Sequence, residues 1–392
     1  MSGRNALTAL PRRVAVGLGW RYRKLRGRTR RRYRDGRVRL TAVRKLARKE
    51  REWQVPLRSR SPRWWRHGFL SRSALLYDLD KHGPANYVSD LQRVSRLKQM
   101  VHPLLQDVIN NKLTTHLLLG TMDIRSAKLL GVYWRGAIHR FPAEGRVPVA
   151  EYLSGLTEGH AIFLKVLAGA EGKNLFLVRR EDEDRWLVND ELFDLGAACR
   201  VFEAQNRPLI VEDGLSQHPK LGELYPGTVN TIRLLTMLDV ADHQPFIVMA
   251  VQRIGTRGSE PADNWSRGGL SARVDLDTGR LGPASRLPAA DELEWFDTHP
   301  DTGAPIKGVE VPFWPEVRAM VTHAARVLSF MEYIGWDIVI TPDGPVVLEA
   351  NINTGMNVLQ VHQPLLDDPR ARAYYVERGV AEADPGVGDD PV

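Results

Sequence analysis

Cysteine is almost absent from this chain of 392 residues, in which Cys199 is the single example. One thiol cannot close a disulfide within the chain, and it cannot build a zinc site that needs several cysteines. The histidines show no pair at the spacing of a metal-binding helix. A disulfide-stapled or cysteine-rich zinc protein is therefore excluded, and a reducing cytosol is the expected compartment.

Long apolar runs are also missing. No stretch reaches the roughly 18 apolar residues of a transmembrane helix, and the short run VAVGLGW at residues 14–20 is too weak for a secretory signal. The chain lacks the Gly-Lys-Ser/Thr of a Walker phosphate loop, and it shows no Cys–His or Ser–His signature of a protein nucleophile. These absences favour a cytoplasmic protein that needs no covalent intermediate on its own side chains.

Acidic residues are scarce in one segment only. Residues 1–72 hold 24 Lys/Arg against 3 Asp/Glu, a net charge of +21, whereas the remainder holds 31 against 44, a net charge of −13. We interpret residues 1–72 as a basic, Arg-rich, helical extension. Such a block can lie on an anionic membrane surface, dock onto the acidic remainder of the chain, or bind nucleic acid. Nucleic acid is the least expected partner, because no nucleic-acid-binding fold accompanies the charge. Membrane contact is favoured by apolar residues among the arginines: Leu7, Leu10, Val14, Leu18, Trp20 and Tyr22.

The rest of the chain mixes helical and strand patterns. Apolar residues recur at helical spacing over residues 73–110, and several later apolar runs are paired as antiparallel strands. The pattern predicts α+β lobes with a cleft between them, and the domain that the family resemblance described below implies covers residues 73–365. Residues 366–392 are predicted to be a C-terminal segment that ends in a disordered acidic tail.

Polar residues interrupt two apolar runs in GWDIVITPDGPVVLEANINTG, residues 335–355. The turn Pro342-Asp343-Gly344 suits a three-residue hairpin loop with Gly344 in a left-handed conformation. That loop places Asp337 opposite Glu349, on the face that also carries Asn351. Facing carboxylates repel unless a positive charge lies between them, and oxygen donors suit Mg²⁺. The alternative is a solvated hairpin face with scattered polar residues.

A second candidate site is IFLKVLAGAEGKNLFLV, residues 162–178. Lys165 lies in an apolar strand, where a buried lysine needs a partner anion. Gly169 and Gly172 let the backbone approach a bulky anion, and Lys173 adds charge. Together they would hold nucleotide phosphates, and the alternative is an ordinary hairpin with a snorkelling lysine.

Charged residues also occur in two further apolar strands. Glu212 ends one strand, and Asn230 and Arg233 lie in the next, three residues apart and therefore on opposite faces. An arginine in such a strand usually has a bidentate anionic partner. A structural ion pair is the alternative to a ligand contact.

The order of these features resembles that of the ATP-grasp superfamily, from INNKL at 109–113 to EANINTG at 349–355. More narrowly, QHP, VNTIR, DNWSRGG, GWDI and LEANINTG, in this order, resemble the sugar-transfer associated ATP-grasp family. The resemblance implies an ATP-grasp fold, in which two α+β lobes grip ATP in a cleft.

The resemblance also implies roles for single residues. Arg233 and Lys165 would be catalytic, with Arg233 facing the γ-phosphate and the acyl-phosphate formed from it, and Glu212 would mark the hinge beside adenine and ribose. The implied nucleotide-binding residues are Lys112, Lys165, Gly169, Gly172, Lys173, Glu212, Asn230 and Arg233. The implied ligands of Mg²⁺, or of Mn²⁺ in its place, are Asp337, Glu349 and Asn351. The residues implied to border the acceptor site are Asp263, Asn264, Arg267, Gly268 and Gly269.

The activity implied by the resemblance is that of an ATP- and Mg²⁺-dependent ligase of the carboxylate–amine type. Its partners would be a small-molecule or glycan carboxylate and an amine acceptor, in polysaccharide or glycoconjugate biosynthesis. Two alternatives stay open: an ATP-grasp phosphotransferase to a sugar or hydroxyl acceptor, and a nucleic-acid-binding protein that uses the basic N-terminus. The expected location is the cytoplasm, with the inner membrane surface as a peripheral site.

Overall fold

The computed structural model describes residues 38–53, 58, 60–97, 100–168, 175–189, 191–288, 292–352 and 354–382. Contacts between Cα atoms divide the chain into a short unit, Met1–Trp53, and a body, Gln54–Val392. In the short unit, residues 38–52 form helix α1, so this part of the basic extension is helical, as predicted. Residues 1–37, with the apolar residues proposed for membrane contact, lie outside the described residues. In the described part of the chain, no helix is both long and apolar enough to cross a membrane.

The body combines short helices with two sheets. Its helices are α2 Pro62–Trp65, α3 Ser71–Leu76, α4 Leu79–His82, α5 Asp90–Gln92, α6 Pro103–Asn110, α7 Lys112–Thr121, α8 Val149–Ser154, α9 Leu195–Glu203, α10 Pro219–Gly222, α11 Trp314–Val327, α12 Met356–Gln360 and α13 Pro369–Glu377. A π-helical turn follows α5 at Arg93–Leu97, and 3₁₀ turns cover Trp265–Arg267 and Leu365–Asp367. Its strands are β1 Leu129–Trp134, β2 Ala137–Arg140, β3 Arg146–Pro148, β4 Ala161–Val166, β5 Leu175–Arg180, β6 Arg185–Val188, β7 Glu191–Asp194, β8 Leu209–Asp213, β9 Thr231–Leu238, β10 Pro245–Ile254, β11 Leu270–Val274, β12 Leu281–Arg286, β13 Trp295–Phe296, β14 Tyr333–Thr341 and β15 Gly344–Asn351.

The two sheets are antiparallel, and the predicted α+β class is confirmed. The first has the strand order β3-β2-β1-β8-β4-β5-β6-β7, and the second has the order β13-β12-β11-β10-β9-β14-β15. In the first sheet, strand residues alternate between a core under α8 and α9 and the opposite face, as in β4, where Ile162, Leu164 and Val166 are buried. One face of this sheet is therefore left for polar residues such as Lys165.

The second sheet is buried on both faces, which is why β9 and β14 read as nearly continuous apolar runs. One face packs on α11, and Ile334 and Trp336 belong to that core. The other face packs on the helices of residues 62–97 and on α12 and α13, and Tyr333 and Met237 belong to this second core. A polar end of this second face remains beyond the helices.

Residues on both sides of the predicted domain 73–365 contribute to one core of the body. Trp64 and Phe69 pack in the same core as Tyr374 and Tyr375. The division by contacts therefore falls after Trp53 rather than between residues 72 and 73. Charge composition cannot reveal this, because single aromatic anchors among arginines leave the net charge of a segment almost unchanged.

The β14–β15 hairpin reaches the predicted pairing by another route. Thr341 pairs with Gly344, so the loop has two residues, and the predicted three-residue loop is wrong. A bulge at Leu348 shifts the register again, and Asp337 lies opposite Glu349 as predicted. The extra residue of a bulge compensates for the shorter loop, and neither is visible in the alternation of residue types.

Candidate functional site

A row of charged side chains crosses the second sheet. Arg233 pairs with Asp337 across β9 and β14, and Asp337 pairs with Glu349 across β14 and β15. Directly opposed residues share a face, so all three side chains lie on one side. Along the same face, Leu235 and Tyr333 belong to the helix-covered core. The face thus changes from apolar to charged where the helical cover ends.

Asp337 is held by two arginines. The Nε of Arg233 donates to Oδ1 of Asp337 at 2.6 Å, and Nη2 of Arg233 donates to Oδ2. Nη1 of Arg253 also approaches Oδ2, at 3.4 Å. Burial raises the pKa of Asp337, but the two guanidiniums outweigh it and hold the pKa below its usual range. Burial lowers the pKa of Arg233, and Asp337 and Glu349 raise it above its usual value. Both members of the pair therefore stay charged.

Glu349 is paired with a lysine from another element. Lys112 begins α7, where the Asn111 side chain caps the helix by accepting from the amide of Leu113 at 3.1 Å. Nζ of Lys112 lies 3.0 Å from Oε1 of Glu349. The backbone N–H of Lys112 donates to the carbonyl of Leu167, just after β4, at 2.8 Å. The helix start is thereby fixed to both sheets.

Lys165 lies on the first sheet and also has a carboxylate partner. Phe163 pairs with Glu212 across β4 and β8, and Lys165, two residues along on the same face, reaches Glu212 diagonally. Nζ of Lys165 lies 2.6 Å from Oε2 of Glu212, and both side chains are nearly buried. The protein itself therefore supplies the predicted anionic partner of this lysine.

Every member of these pairs except Glu212 lines one cavity of about 420 Å³ between the two sheets. Lys165 and Leu175 line it from the first sheet, and Arg233, Glu349 and Asn351 line it from the second. Among the described residues, six Lys or Arg side chains and three Asp or Glu side chains line the cavity. Such a lining favours a strongly anionic ligand.

Residues 93–368 match the family described as sugar-transfer associated ATP-grasp. The chain belongs to this family. The resemblance seen in the sequence is confirmed, and the two antiparallel sheets with a cleft between them are its ATP-grasp fold. No curated protein sequence matches the chain.

Several solved structures resemble this ATP-grasp chain at low sequence identity. An ADP complex of N5-carboxyaminoimidazole ribonucleotide synthetase shows 13% identity and a TM-score of 0.37, with 72% of this chain and 51% of that chain covered. D-alanyl-alanine synthetase A from Vibrio cholerae shows 12% identity and a TM-score of 0.41, with 70% of this chain and 64% of that chain covered. A RimK domain protein from Sphaerobacter thermophilus shows 13% identity and a TM-score of 0.35, with 78% of this chain and 77% of that chain covered. The chain thus spans about half the length of the first of these proteins and under two thirds of the second. The family match carries the assignment.

Two of the five residues predicted to border the acceptor site, Asp263 and Asn264, line the ATP-grasp cleft. Asp263 is buried and accepts from the backbone N–H and the hydroxyl of Thr231, at 2.7 and 2.5 Å, and from Arg253. Asn264 lines the cavity beside it and caps the following 3₁₀ turn by accepting from the amide of Ser266. Asp263 therefore orients Arg253, and Asn264 keeps its amide at the cavity wall.

The end of that loop has a different position. Arg267 is exposed, and Gly268 has a φ of +101°, which ends the 3₁₀ turn. A Cβ on Gly269 would lie 3.0 Å from the carbonyl oxygen of Asp263. The two glycines thus allow a tight turn, and these three residues are not among the described residues that line the cavity.

Asn230 is not placed at the cavity, contrary to its predicted role in nucleotide binding. Its side chain is fully buried, and Nδ2 donates to Gln217 and to the carbonyls of Leu221 and Tyr225 at 2.9–3.1 Å. Its Oδ1 accepts from the amide of Gly255 at 2.9 Å. The asparagine therefore joins the residue 217–225 segment to β9 and β10, a structural role that an isolated motif does not distinguish from ligand binding.

We expect Asn230→Ala to lower the free energy of unfolding by about 1–3 kcal/mol or more, because several buried polar groups lose their partner. The affinity of the folded protein for MgADP should not change. Denaturant unfolding and calorimetry with MgADP test the two statements separately. A large loss of nucleotide affinity at unchanged stability would show that Asn230 contributes to nucleotide binding.

The remaining predicted residues divide into two groups. Gly169, Gly172 and Lys173 lie outside the described residues, so the predicted phosphate loop stays a prediction. The structure brings together Lys112, Lys165, Glu212, Arg233, Asp337, Glu349 and Asn351.

Sequence reasoning missed three arginines of the cavity wall. Arg253 lies in the apolar strand β10, so the pattern that singled out Arg233 was available for it too. Arg72 and Arg93 carry no such signal, because they lie on short helical elements whose position depends on the tertiary structure.

The predicted metal ligands fit Mg²⁺ unequally. Glu349 and Asn351 line the cavity and present oxygen atoms, and Mg²⁺ accepts such a small set when phosphates and water complete it. Both oxygens of Asp337 accept from Arg233 instead. No cluster of three His, Cys, Asp or Glu side chains suited to a metal occurs within the described ranges. Glu349 and Asn351 are thus the ligands that fit, and Asp337 primarily orients Arg233.

Proposed function

We propose that this ATP-grasp protein is an ATP- and Mg²⁺-dependent ligase that joins a carboxylate to an amine through an acyl-phosphate. The observation that carries the proposal is the convergence of Lys112, Lys165 and Arg233 on one cavity that also holds Glu349 and Asn351. Phosphoryl transfer depends mainly on positioning and charge neutralisation, which these side chains supply. The family name supports a role in glycan assembly by association only.

The reaction balances without a protein nucleophile. A carboxylate oxygen of the substrate attacks the γ-phosphorus of ATP, the bond to the bridging oxygen breaks, and ADP leaves. An amine nitrogen then attacks the acyl carbon and loses a proton, and the carbon–oxygen bond to phosphate breaks. The products are an amide, ADP and inorganic phosphate.

Each cation of the cleft has a defined task in this proposal. Lys112 and Lys165 are positioned by their carboxylate partners, Glu349 and Glu212, and exchange these partners for phosphate oxygens when the nucleotide binds. Arg233 uses Nε and Nη2 for Asp337, and within the described residues its Nη1 makes no hydrogen bond. Nη1 can therefore donate to the transferred phosphoryl group while Asp337 holds the guanidinium plane. Mg²⁺, held by Glu349 and Asn351, would neutralise phosphate charge.

Hydroxylamine trapping tests the reaction class. The protein is incubated with MgATP, a panel of carboxylates and hydroxylamine, and a carboxylate substrate should yield ADP, inorganic phosphate and a hydroxamate in equal amounts. ADP with a phosphorylated acceptor and no inorganic phosphate would identify a phosphotransferase. ATP turnover that yields neither a hydroxamate nor a phosphorylated acceptor would contradict both reactions.

We expect Lys165→Met to weaken nucleotide binding by about 1.5–3 kcal/mol, the range of a charge-assisted hydrogen bond. Methionine keeps the apolar stem and removes the charge. Lys307→Met is the matched control, because Lys307 forms an exposed pair with Asp297 at 3.4 Å. Calorimetry with MgADP gives both affinities, and equal affinity of Lys165→Met and wild type would make Lys165 structural.

The basic extension is proposed to place the protein at an anionic membrane surface on its cytoplasmic side. Each Lys or Arg near such a surface contributes about 1 kcal/mol of attraction. Helix α1 carries six of these residues: Arg39, Arg44, Lys45, Arg48, Lys49 and Arg51. Docking onto the acidic body and binding to nucleic acid are the competing uses of this charge.

Removal of residues 1–53 should abolish sedimentation with anionic vesicles at low salt and leave ATP turnover unchanged. The cut is placed there because Trp64 and Phe69 belong to the core of the body. Full-length protein that ignores vesicles at low salt, or that prefers nucleic acid in competition, contradicts the membrane role. A folded truncated protein without ATP turnover would show that the extension serves catalysis.

A further inference from the structure

Among the residues that the structure describes, four arginines line the cavity, and they differ in their partners. Arg233 is paired with Asp337, and Arg253 is paired with Asp263. Nε of Arg72 and Nε of Arg93 are shielded from solvent and have no hydrogen-bond partner in the described part of the chain. A shielded guanidinium N–H group without an acceptor is unfavourable unless a ligand supplies one.

Arg72 stands on an anchored helix. In α3 it lies between Ser71 and Ser73, which are both buried. Oγ of Ser71 accepts from the amide of Ser61 at 2.9 Å, and Oγ of Ser73 accepts from Nδ2 of Asn357 at 2.9 Å. The backbone under Arg72 is therefore fixed on both sides, which favours a preorganised site.

Arg93 is anchored in a similar way. It directly follows α5, whose capping box joins Ser89 and Gln92 through two hydrogen bonds of 2.7 and 3.3 Å. The chain continues as the π-helical turn Arg93–Leu97. Such turns are frequent at functional sites.

One carboxylate interacts with the charges of both arginines, and it offsets only part of them. The pKa of Asp90 is raised, because its burial outweighs its hydrogen bonds and the charges of Arg93 and Arg72. Its Oδ2 accepts from the amide of Leu70 at 2.9 Å rather than from either guanidinium. At least one positive charge therefore remains at this end of the cavity.

The arginine pair reaches the cavity from the helical cover, whereas Arg233, Asp337 and Glu349 reach it from the strands. Arg72 adjoins Ser73, whose Oγ accepts from Asn357 of α12. Asn264, Ser266 and Asn357 line the same cavity and offer further polar contacts.

We propose that Arg72 and Arg93 form an oxyanion subsite for a second, non-reacting anionic group of the substrate. The inference rests on the proposed function, in which Arg233 and the lysines serve the nucleotide and the reacting carboxylate. The group bound is a carboxylate or a phosphate, because the guanidinium fork matches both. The substrate class is thus an acid, such as a sugar acid, that carries a second carboxylate or a phosphate.

The test titrates succinate, inorganic phosphate and neutral succinamide into full-length protein, with and without saturating MgADP. Wild type should bind at least one of the two anions and not succinamide. Arg72→Gln/Arg93→Gln should bind that anion about tenfold more weakly or worse, with unchanged affinity for MgADP. Arg72→Lys/Arg93→Lys, which keeps the charge but loses the fork, should show a smaller loss. Preference for succinate or for phosphate identifies the group.

The matched control is Arg318→Gln/Arg326→Gln, which removes two exposed charges from α11 and should bind the anions like wild type. Unchanged anion affinity in both the glutamine and the lysine variants overturns the subsite, as does a wild type that binds neither anion at about 10 mM. Weaker MgADP binding in a glutamine variant with native circular dichroism would mean that the pair serves the nucleotide, which also overturns it. Failure of wild type to bind MgADP counts against the proposed function alone, since the titrations without nucleotide still test the arginines.

Discussion

Asp337→Asn should lower the free energy of unfolding by about 3–5 kcal/mol, the range for removing one partner of a buried ion pair. Asp337 is 4% exposed, and its two oxygens accept from Arg233 while Arg253 approaches one of them. Asparagine keeps the size but leaves the nearly buried guanidinium of Arg233 without its paired carboxylate, whereas Arg253 keeps its pair with Asp263. Denaturant unfolding at neutral pH measures the loss.

Asp297→Asn is the control for that substitution, because Asp297 forms an exposed pair with Lys307. Its effect should be about 0–1 kcal/mol. A similarly small effect of Asp337→Asn would show that the carboxylate does not hold the arginines.

The pH dependence of the same pair has a defined sign. The folded pKa of Asp337 is lowered, so its stabilisation is present above the ordinary Asp pKa of about 3.9 and is lost as the pH falls through the folded pKa. The stability difference between wild type and Asp337→Asn should therefore narrow below about pH 4. A difference that stays constant down to acid unfolding would contradict the lowered pKa.

Glu349→Gln should reduce ATP turnover by about 10²-fold or more and leave the fold intact. The side chain is 29% exposed and pairs with Lys112, so its removal costs little stability. Glutamine retains an oxygen but not the charge that would hold Mg²⁺ and keep Lys112 in place. Steady-state ADP release at saturating Mg²⁺ measures the loss.

The control for Glu349→Gln is Glu316→Gln, at an exposed position of α11, which should turn over ATP like wild type. If Glu349→Gln turned over ATP at the wild-type rate, Glu349 would have no role in the reaction. A lower unfolding midpoint together with lost turnover would instead indicate that the pair with Lys112 is structural.

Several features of the site are already contained in short stretches of sequence. Alternation of side chains along a strand places Glu349 and Asn351 on one face, and an arginine in the apolar run VNTIR predicts a bidentate anionic partner, which is Asp337. The ordered motifs also identify the ATP-grasp family correctly. These are local properties, since each depends on residue type and on the period of the backbone.

The partners and the final positions of these residues depend on the tertiary structure. Asp337 and Arg233 are 104 residues apart, and they meet because β9 and β14 are neighbours in the second sheet. Asn230 is three residues from Arg233, yet its side-chain amide donates its hydrogen bonds inside the core.

The sequence by itself determined the α+β class, the family and the side chains that can contact an anion or a cation. Only the tertiary structure decided that the lysines are paired with Glu212 and Glu349, that a bulge at Leu348 restores the hairpin register, and that Arg72 and Arg93 reach the cavity. The physical reason is that charge pairing and burial depend on distances between segments far apart in the chain, which strand order and helix packing set, whereas periodicity and residue chemistry act within a few residues.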